Sequence, residues 1–178
     1  MHVFLTGGIQ VGKSTIIDKT LSLLKITPGG FRTYFGSDRG ASDRFLYMSS
    51  AVGPKLFSVK NAVAYFAEGK APQAFTRRFD TYGVELIRSA GNSSNLIIMD
   101  ECGSLERGAL VFQKEVIDAL DGNTPVFGVI KQSSEGWTDR IRNHPKVRLI
   151  TVTVNNRDVL PQRIACLFTN RIDIPYVP

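Results

Sequence analysis

The sequence predicts an α/β protein in which a mainly parallel central sheet lies between two layers of helices. The pattern of apolar residues along the chain supports this three-layer α/β/α prediction. Apolar runs of strand length alternate with helical patterns almost from one end of the chain to the other, and this alternation implies parallel strands joined by right-handed crossovers. The chain has 178 residues, 43% of them hydrophobic and 21% charged. One globular domain over residues 1–178 is therefore expected, and a disordered or low-complexity chain is excluded.

Charge and cysteine content narrow the functional classes. The formal net charge is +6, which favours a polyanionic partner such as a nucleotide or a nucleic acid. The two cysteines are too few for a disulfide framework or a four-ligand zinc site, and they favour the cytoplasm as the location. No apolar stretch approaches the roughly 20 residues that span a bilayer, so we expect no membrane association.

The first predicted elements are a strand, a glycine-rich turn and a helix. The apolar run over residues 2–6 predicts the strand, and residues 7–12 predict the turn. The helix is expected to begin near Lys13, because apolar residues follow at the spacing of one buried helical face: Ile17, Leu21 and Leu24. Pro28 and the two glycines after it are expected to end this helix.

A hairpin added to the parallel sheet is predicted next. Its strands cover residues 31–35 and 44–49, and the polar turn 36–43 separates them. Residues 51–79 are mixed, with a strand over 63–66 followed by a basic, proline-interrupted stretch.

The second half of the chain alternates regularly between helix and strand. A helix over 80–90 leads through small polar residues into the apolar run 96–99, whose continuous hydrophobicity is typical of a strand buried on both faces. The remaining predicted elements are a helix over 109–120, a strand over 126–130, a helix over 138–143, a strand over 147–154, a helix over 158–168 and an irregular tail over 169–178.

The turn after the first strand carries a phosphate-binding motif. Residues 7–14 match the pattern G-x-x-x-x-G-K-[ST] between a predicted strand and a predicted helix. The backbone N–H groups of such a turn, together with the helix N-terminus, form a cradle for phosphates. Lys13 is expected to reach the β- and γ-phosphates, Ser14 to ligate Mg²⁺ and Thr15 to bond the α-phosphate. We expect a nucleotide to contact Thr15 and every residue of the motif: Gly7, Gly8, Ile9, Gln10, Val11, Gly12, Lys13 and Ser14.

A pair of carboxylates follows the apolar run 96–99. Ligands of open parallel sheets lie outside the carboxyl ends of the strands, so Asp100 is expected to hold Mg²⁺, directly or through water. Glu101 is expected to orient or deprotonate an attacking water, because that step needs a carboxylate near the γ-phosphate. The predicted catalytic residues are therefore Lys13 and Glu101, and the predicted metal ligands are Ser14 and Asp100.

Several other residues are open to more than one interpretation. Glu106, which we include among the predicted nucleotide contacts, could bond a ribose, support Lys13 or cap the helix that follows. Lys131, directly after a predicted strand, could sense the γ-phosphate. Four arginines could supply a cation to the transition state or belong to a solvated basic surface: Arg32, Arg44, Arg77 and Arg78. Three residues are expected to be structural: His2, His144 and Cys102.

With both motifs in place, the chain resembles the small P-loop nucleoside-triphosphatase family described from thermophilic microbes, which has a cancer-related human member. That family carries an Asp-Glu-x-Gly-x-Met-Glu stretch, and residues 100–106 match it with Leu105 in place of Met. Its Gly-Phe segment corresponds to residues 30–31, and its Asn-Arg-Asp-x-Leu-Pro segment to residues 156–161. The phosphate loop departs from the family's usual proline-containing form.

The resemblance implies a fold similar to that of other additional-strand P-loop ATPases and Mg²⁺-dependent hydrolysis of several nucleoside triphosphates to diphosphates. Two alternatives remain open. A nucleoside or nucleotide kinase would use the same cradle to pass the γ-phosphoryl group to an acceptor. A nucleic-acid-binding protein could use the nucleotide as a switch, although scattered basic residues do not favour this function. We expect a monomer.

Overall fold

The structure is a computed structural model that describes residues 1–169. Within them, eight strands form one sheet. In chain order they are β1 (His2–Thr6), β2 (Gly29–Phe35), β3 (Arg44–Ser50), β4 (Ala62–Phe66), β5 (Gln73–Ala74), β6 (Ile97–Cys102), β7 (Val126–Ile130) and β8 (Val147–Thr151).

Helices connect most of these strands. They are α1 (Lys13–Leu24), α2 (Thr76–Arg78), α3 (Val84–Ser93), α4 (Leu110–Asp121), α5 (Trp137–Arg142) and α6 (Leu160–Thr169), and a π-helical turn (Phe79–Gly83) joins α2 to α3. Among the described residues, none of the helices combines the length and the apolar character needed to span a bilayer.

The sheet is parallel in one part and antiparallel in the other. The strand order is β5-β4-β3-β2-β6-β7-β1-β8, and the five strands from β2 to β8 in that order run parallel. Strands β3, β4 and β5 extend the β2 edge in antiparallel fashion. The predicted α/β fold with a mainly parallel sheet is therefore confirmed, and the predicted hairpin is the β2–β3 pair.

Two apolar clusters lie on opposite faces of the sheet. Side chains alternate between the faces of a strand, and in β1 the fully buried Val3 and Leu5 belong to the cluster beneath α1 and α6. Phe4, between them, belongs to the cluster beneath α3, α4 and α5. The central strands therefore bury both faces, which explains their continuous hydrophobicity.

The glycines predicted to end the first helix belong instead to β2. Helix α1 already ends at Leu24, because Lys25 adopts a left-handed conformation (φ 53°) and donates its N–H to Leu21. A Cβ on Gly29 would collide with Ala90 of α3, and a Cβ on Gly30 (φ +92°) would collide with the carbonyl oxygen of Ile98 in β6. These glycines allow β2 to approach its neighbours closely.

Other element boundaries also differ from the prediction. The helix predicted over 80–90 is preceded by the π-helical turn and extends to Ser93. Strand β6 continues through the two carboxylates to Cys102, and β5 was not predicted because two residues carry no periodic pattern. Strand β8 ends at Thr151, because the Asn156 amide donates to the Thr151 carbonyl and accepts from the Thr153 N–H, both at 2.9 Å.

The predicted tail over 169–178 falls almost entirely outside the described residues. Its first residue, Thr169, is the last residue of α6 rather than part of an irregular segment. Its side chain donates to the carbonyl oxygen of Ala165, one helical turn earlier.

Replacing Gly30 by alanine should destabilise the protein strongly. The new Cβ would collide with the β6 backbone, and alanine would be strained at the positive φ of this position. We therefore expect the free energy of unfolding to fall by about 3 kcal/mol or more. Gly91→Ala is the matched control, because that site in α3 is open and the change should raise the free energy by up to about 1 kcal/mol. Urea unfolding of both variants tests this, and equal stabilities would contradict the role of Gly30.

Candidate active site

The phosphate loop joins β1 to α1, and two of its backbone carbonyl groups bind the ammonium of Lys13. The Nζ atom donates to the carbonyl oxygens of Gly7 at 2.9 Å and Gly8 at 2.7 Å. An ammonium has three N–H donors, so one donor remains for a phosphate oxygen. Gly7 has a φ of +132°, and a Cβ there would lie 2.5 Å from the Val152 carbonyl oxygen. The loop is therefore packed tightly against the segment that follows β8.

Ser14, the second residue of α1, meets Asp100 of β6. The serine hydroxyl lies near the Asp100 carboxylate, and this carboxylate is only 7% exposed. Burial raises the pKa of Asp100 above its ordinary value, while the Ser14 hydroxyl and the nearby cations Arg32 and Lys13 act to lower it. The structure thus brings together the two residues that the sequence predicts as metal ligands.

Glu101 lies beside the same loop and is only partly buried. Burial raises its pKa, and the Asp100 carboxylate adds to this effect, while Lys13 and Lys131 lower it. A raised pKa makes a carboxylate a stronger proton acceptor when it is ionised. The charges of Lys13 and Lys131 therefore both act on the predicted general base.

Thr33 of β2 positions these two carboxylates and was missed by the sequence analysis. Its hydroxyl donates to the Asp100 carbonyl oxygen at 3.2 Å and accepts from the Glu101 N–H at 3.3 Å. The signal would have been the pairing register of β2 with β6, and a single sequence does not contain that register.

Arg32 and Asp18 complete the side of the site that faces β2. Arg32 is the register partner of Asp100 on the neighbouring strand, and its guanidinium pairs with the Asp18 carboxylate at 2.7 Å. Asp18 lies one helical turn after Ser14 on α1, a spacing that places both on one face. The sequence analysis left Arg32 ambiguous and did not single out Asp18.

Glu106 follows β6 and is nearly fully buried at 2% exposure. Its Oε2 accepts the Gly103 N–H at 2.7 Å, so its side chain closes the turn that directly follows β6. Burial raises its pKa to about 7, and Glu101 also raises it, while the Gly103 hydrogen bond and the Lys131 charge lower it. Of the roles that the sequence left open, a cap on the following helix α4 is not observed, because no side chain caps the N-terminus of that helix.

Lys131 follows β7 and is tied to the end of β6. Its backbone N–H donates to the Cys102 carbonyl oxygen at 2.9 Å, and the Trp137 indole donates to the Gly103 carbonyl oxygen at 2.7 Å. Arg142 donates to the Lys131 carbonyl oxygen at 3.0 Å. The segments after β6 and β7 are therefore joined beside Glu101.

The remaining candidate arginines have structural contacts away from the phosphate loop. Arg78 donates to the Ala62 carbonyl oxygen and lies over the Phe75 ring. Arg44 donates to the Ala41 carbonyl oxygen and lies between the rings of two phenylalanines. Arg77 is exposed on α2, next to Arg78.

The three residues predicted to be structural are His2 and Cys102, which are buried, and His144, which is partly buried. Burial lowers the pKa of His2 to about 4, and its Nδ1 accepts the Val126 N–H at 3.0 Å. His144 faces the Asp121 carboxylate. Cys102 is fully buried, which raises the pKa of its thiol well above the usual range.

The Asn-Arg-Asp segment lies on the other side of the phosphate loop, after β8. A Cβ on Gly12 would lie 3.9 Å from the Cδ of Arg157, so this exposed arginine borders the loop. The sequence analysis used the segment only as a family motif. The site therefore extends from Arg157 on the β8 side to Arg32 on the β2 side.

The donor atoms at the centre of the site fit Mg²⁺. Among residues 1–169, no group of three or more His, Cys, Asp or Glu side chains could hold a metal ion. Mg²⁺ takes oxygen ligands and is commonly bound by one or two carboxylates together with substrate phosphates. The Ser14 hydroxyl and the Asp100 carboxylate supply oxygen donors of this kind, to be completed by a nucleotide.

Comparison with known proteins gives consistent matches along the chain. A family model described as NTPase matches residues 2–165. The nucleoside-triphosphatase THEP1 of Thermofilum pendens is 30% identical over 169 residues, which cover 92% of this chain and 93% of that protein. THEP1 of Methanocaldococcus jannaschii is 28% identical over 175 residues, with coverages of 92% and 95%. These matches confirm the resemblance inferred from the motifs.

Two solved structures share the fold. The crystal structure of THEP1 from Aquifex aeolicus has a TM-score of 0.74 and 24% identity, and the match covers 94% of this chain and 98% of that one. The solution structure of a human cancer-related nucleoside triphosphatase has a TM-score of 0.66 and 24% identity, with coverages of 96% and 98%.

The pKa of Glu106 predicts a pH-dependent stability. Its ordinary value of 4.5 rises to about 7 in the folded chain, so its stabilising contribution is complete below pH 4.5 and is lost as the pH rises through about 7. Glu106→Gln, which keeps the acceptor for Gly103, should not show this loss. The free energy of unfolding of the variant relative to wild type should therefore rise with pH by up to about 3 kcal/mol.

Urea unfolding at about pH 5, 6, 7 and 8 measures this difference. Glu68→Gln is the control, because Glu68 is exposed in the loop after β4. A difference between Glu106→Gln and wild type that stays constant over this range would contradict the prediction.

Proposed function

The chain belongs to the NTPase family, and we propose that it hydrolyses nucleoside 5′-triphosphates such as ATP and GTP to the diphosphate and phosphate with Mg²⁺. The observation that carries this proposal is the proximity of Ser14, at the start of α1, to the buried Asp100 of β6, whose pKa burial raises and the Ser14 hydroxyl lowers. This proximity brings the phosphate loop next to the carboxylates of the central strand, as metal-assisted phosphoryl transfer in P-loop enzymes requires.

The phosphates would bind along the loop. Backbone N–H groups of residues 7–14 and the N-terminal end of α1 would surround them, and the free donor of Lys13 would reach oxygens of the β- and γ-phosphates. Thr15, exposed beside Ser14, would bond the α-phosphate. Lys131 would face the γ-phosphate, and the effect of its charge on the pKa of Glu101 supports this role.

Ser14 and Asp100 would hold Mg²⁺, which when bound neutralises charge on the β- and γ-phosphate oxygens. Glu101 would orient a water in line with the bond to the leaving oxygen and accept its proton. The oxygen of that water then bonds to the γ-phosphorus as the diphosphate leaves. Lys13 would stabilise the charge that develops on the phosphate oxygens.

The orientation of the nucleotide follows from the two sides of the site. Glu101 and Asp100 lie toward β2, so the γ-phosphate would face that side. Arg157 borders the loop on the β8 side, so the nucleoside would extend in that direction. We propose that Arg157 contacts the nucleotide there.

Three further expectations belong to this proposal. We expect residues 1–178 to form one catalytic domain that acts as a monomer. The cytoplasm is the expected location, in agreement with the two cysteines, Cys102 and Cys166, which are both free.

Glu101→Gln should separate binding from turnover. The amide keeps the size of the side chain but does not accept a proton, so we expect kcat to fall about 100-fold or more with little change in nucleotide affinity. Phosphate release from a panel of four nucleoside triphosphates, beside a fluorescent-nucleotide binding assay, measures both. Glu68→Gln is the charge-matched control, because Glu68 lies in the loop after β4, and β4 is three strands away from β6 in the sheet. Unchanged turnover in Glu101→Gln would refute the assignment of the general base.

Asp100→Asn should weaken the use of Mg²⁺. Loss of even an outer partner of a metal ligand commonly costs about 10- to 100-fold in metal affinity, so we expect the Mg²⁺ concentration for half-maximal nucleotide binding to rise at least about tenfold. Nucleotide fluorescence titrated with Mg²⁺, and repeated after chelation with EDTA, gives a readout independent of turnover. An unchanged Mg²⁺ requirement would exclude Asp100 as a ligand.

A further inference from the structure

A cleft of about 590 Å³ lies beside the site, between α1 and the β2–β3 pair. This volume is in the range of small-molecule sites. One wall is the continuation of α1 beyond Ser14, with Asp18 and Ser22, and the other wall includes Arg32 and Tyr34 of β2. The proposed hydrolysis of a nucleoside triphosphate does not use this cleft.

The cleft begins where the proposed metal site ends. Asp18 follows Ser14 by one helical turn, and Arg32 pairs in register with Asp100 on a strand about 4.8 Å away. Since the γ-phosphate would face this side, the cleft continues beyond it on the side away from the nucleoside. A phosphate bound at the Asp18–Arg32 end of the cleft would therefore lie next to the proposed metal site.

The charged groups of the cleft favour an anion. Arg32 and Lys55 both line it, against the single carboxylate of Asp18. The Arg32 side chain is 21% exposed and pairs with Asp18 through Nη1 at 2.7 Å. Lys55 is exposed, and its ammonium lies over the Tyr34 ring without a carboxylate partner among the described residues, so its charge is available to a ligand. Arginine suits the planar recognition of phosphate oxygens.

The rest of the lining suits the body of a nucleoside. Apolar side chains provide contact area for a planar base: Leu21, Ile26 and Val52. Hydroxyl groups that could bond a ribose also line the cleft: Ser22, Thr27 and Ser50. The lining therefore combines an anion subsite next to Asp100 with a mixed apolar and hydroxyl-bearing region further away.

We propose that this cleft binds a nucleoside monophosphate, which accepts the γ-phosphoryl group in place of water. The inference rests on the nucleotide orientation of the proposed function, and not on the role of Glu101. It assigns a transferase activity to the same phosphate cradle, with Arg32 holding the acceptor phosphate and Lys55 adding positive charge along the cleft.

The transfer balances without a base. An oxygen of the acceptor phosphate forms a bond to the γ-phosphorus, and the bond from the γ-phosphorus to the oxygen bridging it to the β-phosphate breaks. The electron pair of that bond leaves with the nucleoside diphosphate, so the products are two nucleoside diphosphates. The acceptor phosphate is largely dianionic at neutral pH, and no proton has to be removed from it.

The experiment uses the full chain, Mg²⁺ and ATP with a radioactive γ-phosphate, and a panel of five nucleoside monophosphates. Separation of the products distinguishes labelled inorganic phosphate from labelled nucleoside diphosphate. We expect at least one monophosphate to divert the label into the diphosphate. Ribose 5-phosphate and inorganic phosphate form separate arms, and equal acceptance of either would overturn the assignment to a nucleoside monophosphate.

Substitutions in the cleft test whether the acceptor binds there. Lys55→Ala and Arg32→Lys should each raise the KM for the monophosphate about tenfold, and calorimetric titration with the monophosphate alone should show a parallel loss of affinity. Lys60→Ala, at an exposed site outside the cleft, is the matched control. Lys13→Ala should abolish diphosphate formation, which excludes a contaminating kinase. An unchanged KM in both cleft variants would overturn the assignment.

Glu101→Gln distinguishes this inference from the proposed function. Because transfer needs no base, the variant should lose phosphate release while retaining diphosphate formation to within about threefold. Phosphate release by wild type with no labelled diphosphate from any monophosphate would overturn the inference and leave hydrolysis intact. Diphosphate formation without phosphate release would support the inference and contradict the proposed hydrolysis.

Discussion

A carboxylate removed from water needs compensating partners, and at Asp100 this requirement determines how the site is arranged. The Ser14 hydroxyl of α1 lies near it, and its compensating charges come from Lys13 and Arg32. Helix α1 and strand β2 therefore both supply groups that compensate the burial of this carboxylate of β6. The phosphate loop, the proposed metal ligands and the adjoining cleft form around that charge, so a change at any one of them alters the electrostatics of the others.

The phosphate loop and the carboxylates of β6 could be predicted because their signals are local. A glycine-rich turn between a strand and a helix needs no knowledge of the rest of the fold, and an apolar run that ends in Asp100 and Glu101 indicates the carboxyl end of a buried strand. The fold class followed from the alternation of such segments. The contact between Glu106 and Gly103 was not predicted, because a backbone N–H group leaves no side-chain pattern in the sequence.

The other parts of the site depend on register and on close packing. Thr33 reaches the backbone of Asp100 and Glu101, and Arg32 lies near the Asp100 carboxylate, only through the pairing of β2 with β6. A register shift of one residue would turn these side chains to the other face of the sheet. Gly30 is a strand residue because the Ile98 backbone of β6 lies too close to leave room for a Cβ. From the sequence alone, a glycine after a helical pattern indicates the end of the helix. The antiparallel extension was only partly predicted, because β5 is two residues long and the segment after β3 lacks regular structure.

The hydrogen bonds between the segments after β6 and β7 have a consequence for motion. Lys131 is bonded to Cys102, and the Trp137 indole is bonded to Gly103, so a displacement of Glu101 carries Lys131 with it. The backbone segments that carry Glu101 and Lys131 therefore form one connected support at the carboxyl ends of β6 and β7.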